Sequence, residues 1–155
     1  MNFGRFTFRS ADEGRDLAHV LAEVCAMPEQ VSFGLNEMMM NAVEHGNLEI
    51  TYEQKTALVR AGTWSAEIER RLATEPYRDR CVVVELARSG NEAVFTIRDE
   101  GKGFDWTGYL SLTAKRAADP HGRGIALSAM MSFSSLTYLG CGNVVVCKAP
   151  LAARG

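Results

Sequence analysis

The sequence reads as an α+β protein, a two-layer sandwich in which a sheet is covered on one face by helices. Three observations carry that expectation. Two amphipathic helical stretches follow one another near the N-terminus. Runs of β-type residues come in neighbouring pairs later in the chain. The resulting order, β, α, α, a helical excursion, β, β, loop, α, β, β, does not alternate strand with helix, as a doubly wound fold must. A chain of 155 residues with 46% apolar and 23% charged side chains is read as one domain, residues 1–155, long enough to bury a core without staples.

The elements can be justified in turn. Phe3 to Arg9 alternates Phe6 and Phe8 with Arg5, Thr7 and Arg9, which is the period of a half-buried strand. Ser10 is placed to cap a helix running to about Cys25, with Asp12 and Glu13 in its first turn and Leu17, Val20, Leu21 and Val24 on its inner side. Pro28 opens the next helix. Val31 to Asn47 reads as one continuous helix whose apolar side is Val31, Leu35, Met38, Met39 and Ala42. Gly46 stands where helices commonly end in a left-handed residue.

Residues 48–78 read as a helical insertion. Tyr52 to Arg60 and Trp64 to Ala73 form two helices separated at Ala61-Gly62-Thr63, the second charge-laced and turning Trp64, Ile68 and Leu72 inward. Cys81 to Ala87 and Ala93 to Arg98 are strands joined by a turn at Ser89-Gly90-Asn91. A glycine-rich loop, Asp99 to Asp105, follows. Trp106 to Pro120 is irregular or weakly helical and holds Lys115 and Arg116. His121-Gly122-Arg123-Gly124 opens a helix from Ile125 to Phe133, and Leu136 to Leu139 with Val144 to Lys148 closes the chain as a hairpin about Gly140 to Asn143.

Composition narrows the function. A net charge of -2 offers no general attraction to nucleic acid or to an anionic membrane, so any phosphate chemistry must come from a local site. No apolar run reaches membrane-spanning length and the N-terminus lacks the architecture of a signal peptide, so a cytoplasmic protein is expected. Cys25, Cys81, Cys141 and Cys147 form no C-x-x-C pair, the histidines are scattered, and reduced, mostly buried thiols are expected. Cys141 and Cys147 could face each other across the last hairpin, which alone predicts no disulfide.

Three places carry candidate chemistry. On the Val31–Asn47 helix, Glu37, Asn41 and His45 recur every four residues with Glu44 beside them, an acid, an amide and an imidazole in one stripe. A solvated face explains such a stripe. So does a site in which the Asn41 oxygen, a hard donor, holds Mg²⁺ together with substrate phosphates while a carboxylate one turn away takes a proton. The loop D-E-G-K-G-F-D places Asp99, an acceptor for an amino group, beside Gly101 and Gly103, which permit close backbone approach; a tight turn also accounts for it. Gly122-Arg123-Gly124 at a helix start offers unpaired N–H groups to a phosphate, with Arg123, Lys115, Arg116 and Lys102 as countercharge, or is a simple N-terminal turn.

Taken in order, these stretches resemble the GHKL superfamily of ATP-binding domains, the group of gyrase, Hsp90, histidine kinases and MutL. N-E-M-M-M-N-A-V-E-H-G-N is similar to its N box, D-E-G-K-G-F-D to its first glycine box, H-G-R-G-I-A-L to its second, and G-N-V-V-V-C-K to its final strand. Within the superfamily the chain most resembles the anti-sigma-factor serine/threonine kinase branch, which pairs N-A-x-x-H-G-N with D-x-G-x-G-F-D. The resemblance implies the Bergerat fold, with a mixed, mostly antiparallel sheet covered by helices on one face.

It further implies ATP and Mg²⁺ as cofactors. Asn41 matches the asparagine that binds Mg²⁺ on the ATP phosphates, and Glu37 the general base toward a serine or threonine hydroxyl. Asp99 matches the aspartate that recognises the adenine amino group, Gly101 and Gly103 shape the base pocket, and Gly122, Arg123 and Gly124 form the hinge of the ATP lid. The implied function is a protein serine/threonine kinase that phosphorylates a STAS-type anti-anti-sigma partner and holds a sigma factor in its other state. A module of the same fold that switches partners on ATP without transfer is the alternative. Dimerisation is usual in that branch, residues 48–78 would be a partner-specific surface, and neither nucleic acid nor membrane is an expected partner.

Overall fold

The structure is a computed structural model and describes residues 2–107 and 123–153. Gly122 and its neighbours Lys115, Arg116 and His121 lie outside the described residues. The chain opens with β1 (Asn2–Phe8), α1 (Ala11–Ala22) and α2 (Pro28–Asn41), which runs into a π-helical segment, Ala42–Asn47. Next come α3 (Tyr52–Arg60), α4 (Trp64–Leu72), β2 (Val82–Ser89) and β3 (Glu92–Arg98), then α5 (Gly124–Met131), β4 (Ser135–Leu139) and β5 (Val144–Pro150).

The strands lie in the order β1-β2-β3-β5-β4, and each neighbouring pair is antiparallel. Register puts Val84, Ile97 and Val145 in one cross-strand row and Leu86, Phe95 and Cys147 in another. These rows face the helices and are buried, whereas Glu85 and Thr96 between them point the other way and are not. The period of two read in the sequence is therefore the division between covered and open faces.

Leu21 and Ala18 of α1 and Leu35, Met38 and Met39 of α2 join those rows in one core. Each such leucine or methionine side chain, fully withdrawn from water, contributes roughly 1.5–3 kcal/mol. Gly34 lets α2 approach the C-terminal end of α5, because a Cβ there would stand 2.4 Å from the Ser132 Cβ. This α+β sandwich is the class the sequence predicts.

Caps follow the local code. Ser10 and Glu13 form a reciprocal capping box at the start of α1, with the Glu13 N–H donating to Ser10 Oγ at 3.2 Å. Thr51 and Gln54 do the same for α3. Neither α3 nor α4 holds a fully buried residue, yet Leu58, Trp64, Ile68 and Leu72 lean on the core. Arg71 and Arg80 lie between this helical pair and the end of the π-helical segment, donating to the carbonyls of Leu48 at 2.6 Å and Asn47 at 2.8 Å.

Four local expectations need correcting. Val20 and Val24, expected on the inner side of α1, are 65% and 39% exposed, because the helix ends at Ala22 and buries Gly14, Ala18, Leu21 and Ala22 instead. The helix expected to run unbroken to Asn47 is α-helical only to Asn41; beyond it the turn widens, shown by the Leu48 N–H donating to the Val43 carbonyl five residues back at 2.9 Å. Gly46 is not left-handed. Positive φ falls on Glu49 instead, at 55°, and Gly46 is required by the nearness of Asp99. Finally, only two of the four free cysteines, Cys25 and Cys147, are buried; Cys141 sits exposed in the last turn and does not face Cys147, whose cross-strand partner is Leu136. Among the described residues no helix is long and apolar enough to cross a membrane.

Candidate functional site

The floor of the site is α2 with its π-helical extension. Glu37 and Asn41 are one turn apart on the same face, half-buried, with Met38 and Met39 anchored in the core between them. The wider turn that follows sets Gly46 against Asp99, leaves His45 against the Tyr52 ring, and turns Glu44 inward, where it is 4% exposed. The buried Asn47 carboxamide accepts the Glu100 N–H at 2.6 Å, which ties the end of this segment to the loop after β3.

Asp99 stands at that junction. Its own N–H donates to the Asn143 carbonyl at 3.0 Å, and its Oδ1 accepts the Gly101 N–H at 2.8 Å. Burial pushes its carboxyl up to about 6, against the lowering pull of the Gly101 N–H and of Arg80. The surrounding glycines leave no room for side chains. A Cβ on Gly46 would lie 2.4 Å from the Asp99 carboxyl carbon, one on Gly101 2.3 Å from the Gly46 carbonyl oxygen, and one on Gly103, whose φ is +82°, 2.0 Å from the Cys141 carbonyl oxygen.

Asp99 lies in the wall of a cavity with Met38, Asn41, Gly46, Phe104 and Tyr138 among its other walls. Tyr138 is held by its O–H donating to Met38 Sδ at 3.6 Å and by edge-on contact with Phe104 at 5.2 Å. An acidic acceptor among aromatic and aliphatic walls, with Asn41, His45 and Asn143 as its other polar neighbours, suits a flat base carrying an amino group. The water-accessible space within this partly open cleft is about 30 Å³, room for a water, which needs about 10–15 Å³.

A second cavity continues from the first, the two sharing Asn41, His45 and Tyr52 as walls. Here Glu37 and Asn41 face Lys55, Arg123 and Gly124. Gly124 lies so close to Glu37 that a Cβ would come within 2.2 Å of its Oε2. Burial pushes the Glu37 carboxyl above the usual range, opposed by the charge of Lys55. Glu44 behind it is raised by burial too, with the nearby Glu37 charge adding to the rise and Lys55, donating to Glu44 Oε2 at 2.7 Å, working against it.

The structure thus brings Glu37, Asn41, Arg123 and Gly124 to one cavity and Asn41, Asp99 and Gly103 to the adjoining one. Gly101 is one step back, packed on the Gly46 carbonyl, and Gly122 is outside the described residues. Among the described residues no three of His, Cys, Asp and Glu converge as a metal cage. Mg²⁺ binds through one or two protein oxygens together with substrate phosphates, and the Asn41 side chain offers an oxygen of the hard type it takes.

Sequence reasoning missed four residues. Tyr52 and Lys55 come from the segment read as an insertion, and Phe104 and Asn143 from loops. Glu44, which the pattern left on a polar stripe with no role, is buried and paired. The one available signal was the capping box at Thr51, which fixes the start of α3 and so the face that Lys55 occupies. A family model described as a histidine kinase-like ATPase domain matches residues 9–147. No curated protein matches the chain.

Proposed function

We propose a function from one premise: the chain belongs to the histidine kinase-like ATPase domain family. It is on that ground an ATP-binding domain of the GHKL type. The finer reading is an ATP-dependent protein serine/threonine kinase of the anti-sigma type, a single cytoplasmic domain acting on a STAS-type partner and holding a sigma factor in its other state. The observation that supports it most is the pair of adjoining cavities with Asp99 at one end, Glu37 beside Gly124 at the other, and Asn41 in the wall of both.

In this reading Asp99 accepts the adenine amino group while Gly103 and Phe104 shape the slot for the base. Asn41 would hold Mg²⁺, which would supply neutralising charge to the phosphates. The backbone at Arg123 and Gly124 closes over the phosphate end. Glu37 takes the proton of the incoming serine or threonine hydroxyl as its oxygen bonds to the γ-phosphorus, and ADP leaves with the electrons of the broken P–O bond. A carboxyl raised by burial is a better proton acceptor near neutral pH than one in water, provided it stays ionised, and the Lys55 charge favours that. Catalysis would otherwise be positioning and charge stabilisation.

The test is transfer of labelled γ-phosphate from ATP to a STAS partner. Label on a partner serine, lost in Glu37→Ala while Mg-ATP still binds, is the expected result. Mg-ATP binding with no label on any physiological partner would replace the kinase with a non-catalytic partner switch.

A further inference from the structure

Lys55 is unusual for its helix. Nothing in α3 is fully buried, yet the Lys55 side chain is only 15% exposed. Its ammonium lies 2.7 Å from Glu44 Oε2 and 4.9 Å from the centre of the Trp64 ring. Lys55 also lines the same cavity as Glu37, Asn41, Arg123 and Gly124.

An ion pair that merely fastened α3 to the helix beneath it would explain the Glu44 contact. It would not require the ammonium to border the cavity. The charges there argue for a second task. Glu37 lines the place where a phosphate chain would lie and Glu44 is buried behind it, so both carboxylates oppose the phosphate charge. One ammonium N–H is used on Glu44, and an ammonium has three to give. Glu44 and the Trp64 face restrict an otherwise flexible stem, which lessens the entropy lost when the head takes a ligand.

We propose that Lys55 is a phosphate-binding residue of this site: its remaining N–H donors take the terminal phosphate of the bound nucleotide, and Glu44 is the positioning residue that holds the ammonium there. The inference rests on the nucleotide reading and adds to it that residues 48–78 complete the catalytic pocket. Discrimination between ATP and ADP would then be set from outside the motifs that mark the site.

The experiment is calorimetric titration of adenosine, Mg-ADP and a non-hydrolysable Mg-ATP analogue into the wild type, Lys55→Gln and Lys55→Arg. Loss of a hydrogen bond to a charged group predicts that Lys55→Gln weakens the ATP analogue roughly ten- to a hundredfold and leaves adenosine unchanged. Lys55→Arg should keep most of the preference for ATP. Adenosine binding serves as the check that the protein is folded. Should Glu44, left buried without its partner, unfold Lys55→Gln, the double variant Glu44→Gln/Lys55→Gln removes both charges and must lose the same preference. A proportional loss for adenosine and the ATP analogue, or no loss for either, would reduce Lys55 to a fastening and overturn the proposal while the nucleotide site stands. A wild type that binds none of the three ligands would overturn both.

Discussion

Replacing Asp99 by asparagine should raise stability and weaken nucleotide binding, and the two effects have separate physical origins. In the folded protein the carboxyl is raised from 3.8 to about 6. At about 1.36 kcal/mol per unit, keeping it ionised in the fold costs on the order of 3 kcal/mol. Because the folded value lies above the unfolded one, the wild type has its full stability below about pH 4, loses it as pH rises through about 6, and is level beyond that. Asparagine has nearly the same shape, so it fits against Gly46 and can still accept the Gly101 N–H, but it carries no charge and its stability has no such fall. The variant should therefore melt with the wild type near about pH 4 and above it by roughly 6–12 °C near about pH 8. In the same variant an NH₂ group competes for the place of an anionic acceptor, and Mg-ATP affinity should drop roughly ten- to a hundredfold. Circular-dichroism melts across pH and calorimetric titration of Mg-ATP read the two effects. The reasoning is refuted if the difference in melting temperature does not change with pH, or if Asp99→Asn binds ATP as the wild type does.

Two further substitutions probe the backbone of the site. Gly124→Ala puts a methyl group 2.2 Å from Glu37 Oε2 and must push the carboxylate by more than an ångström, so phosphoryl transfer to the partner should fall roughly a hundredfold; an unchanged rate in the labelled-ATP assay would argue against Glu37 as the base. Gly103 and Gly140 are both left-handed, but only at Gly103 would a Cβ meet backbone, the Cys141 carbonyl oxygen at 2.0 Å. Gly140→Ala should cost about 1 kcal/mol for its φ alone, Gly103→Ala well beyond that with loss of ATP binding; equal destabilisation of the two in urea titrations would show that the crowding at Gly103 does not matter.

Much of the fold was legible because its determinants are local. The alternation in Phe3 to Arg9, the Ser10 cap, the apolar stripe of α2 and the turn at Gly90 each lie within a few residues, and these elements start close to where their patterns placed them. The lapses came where the deciding neighbour is distant. Nothing near Ala42 announces a π-helical turn, and what requires glycine at 46 is Asp99, more than fifty residues on, which leaves no space there for a side chain. The same distance hid Glu44, whose place on a polar stripe gave no sign that the wider turn would bury it.

The sequence by itself determined most of the secondary structure, the α+β class and the order of the motifs that mark an ATP-binding domain, since periodicity, caps and short spacings are written in neighbouring residues. Only the tertiary structure decided that Tyr52 and Lys55 reach the site from α3, that Glu44 is buried against Lys55, and that the Asp99 carboxyl is raised by burial. Those properties depend on what lies across a cavity, and charge, exposure and distance between segments far apart in the chain have no local signature.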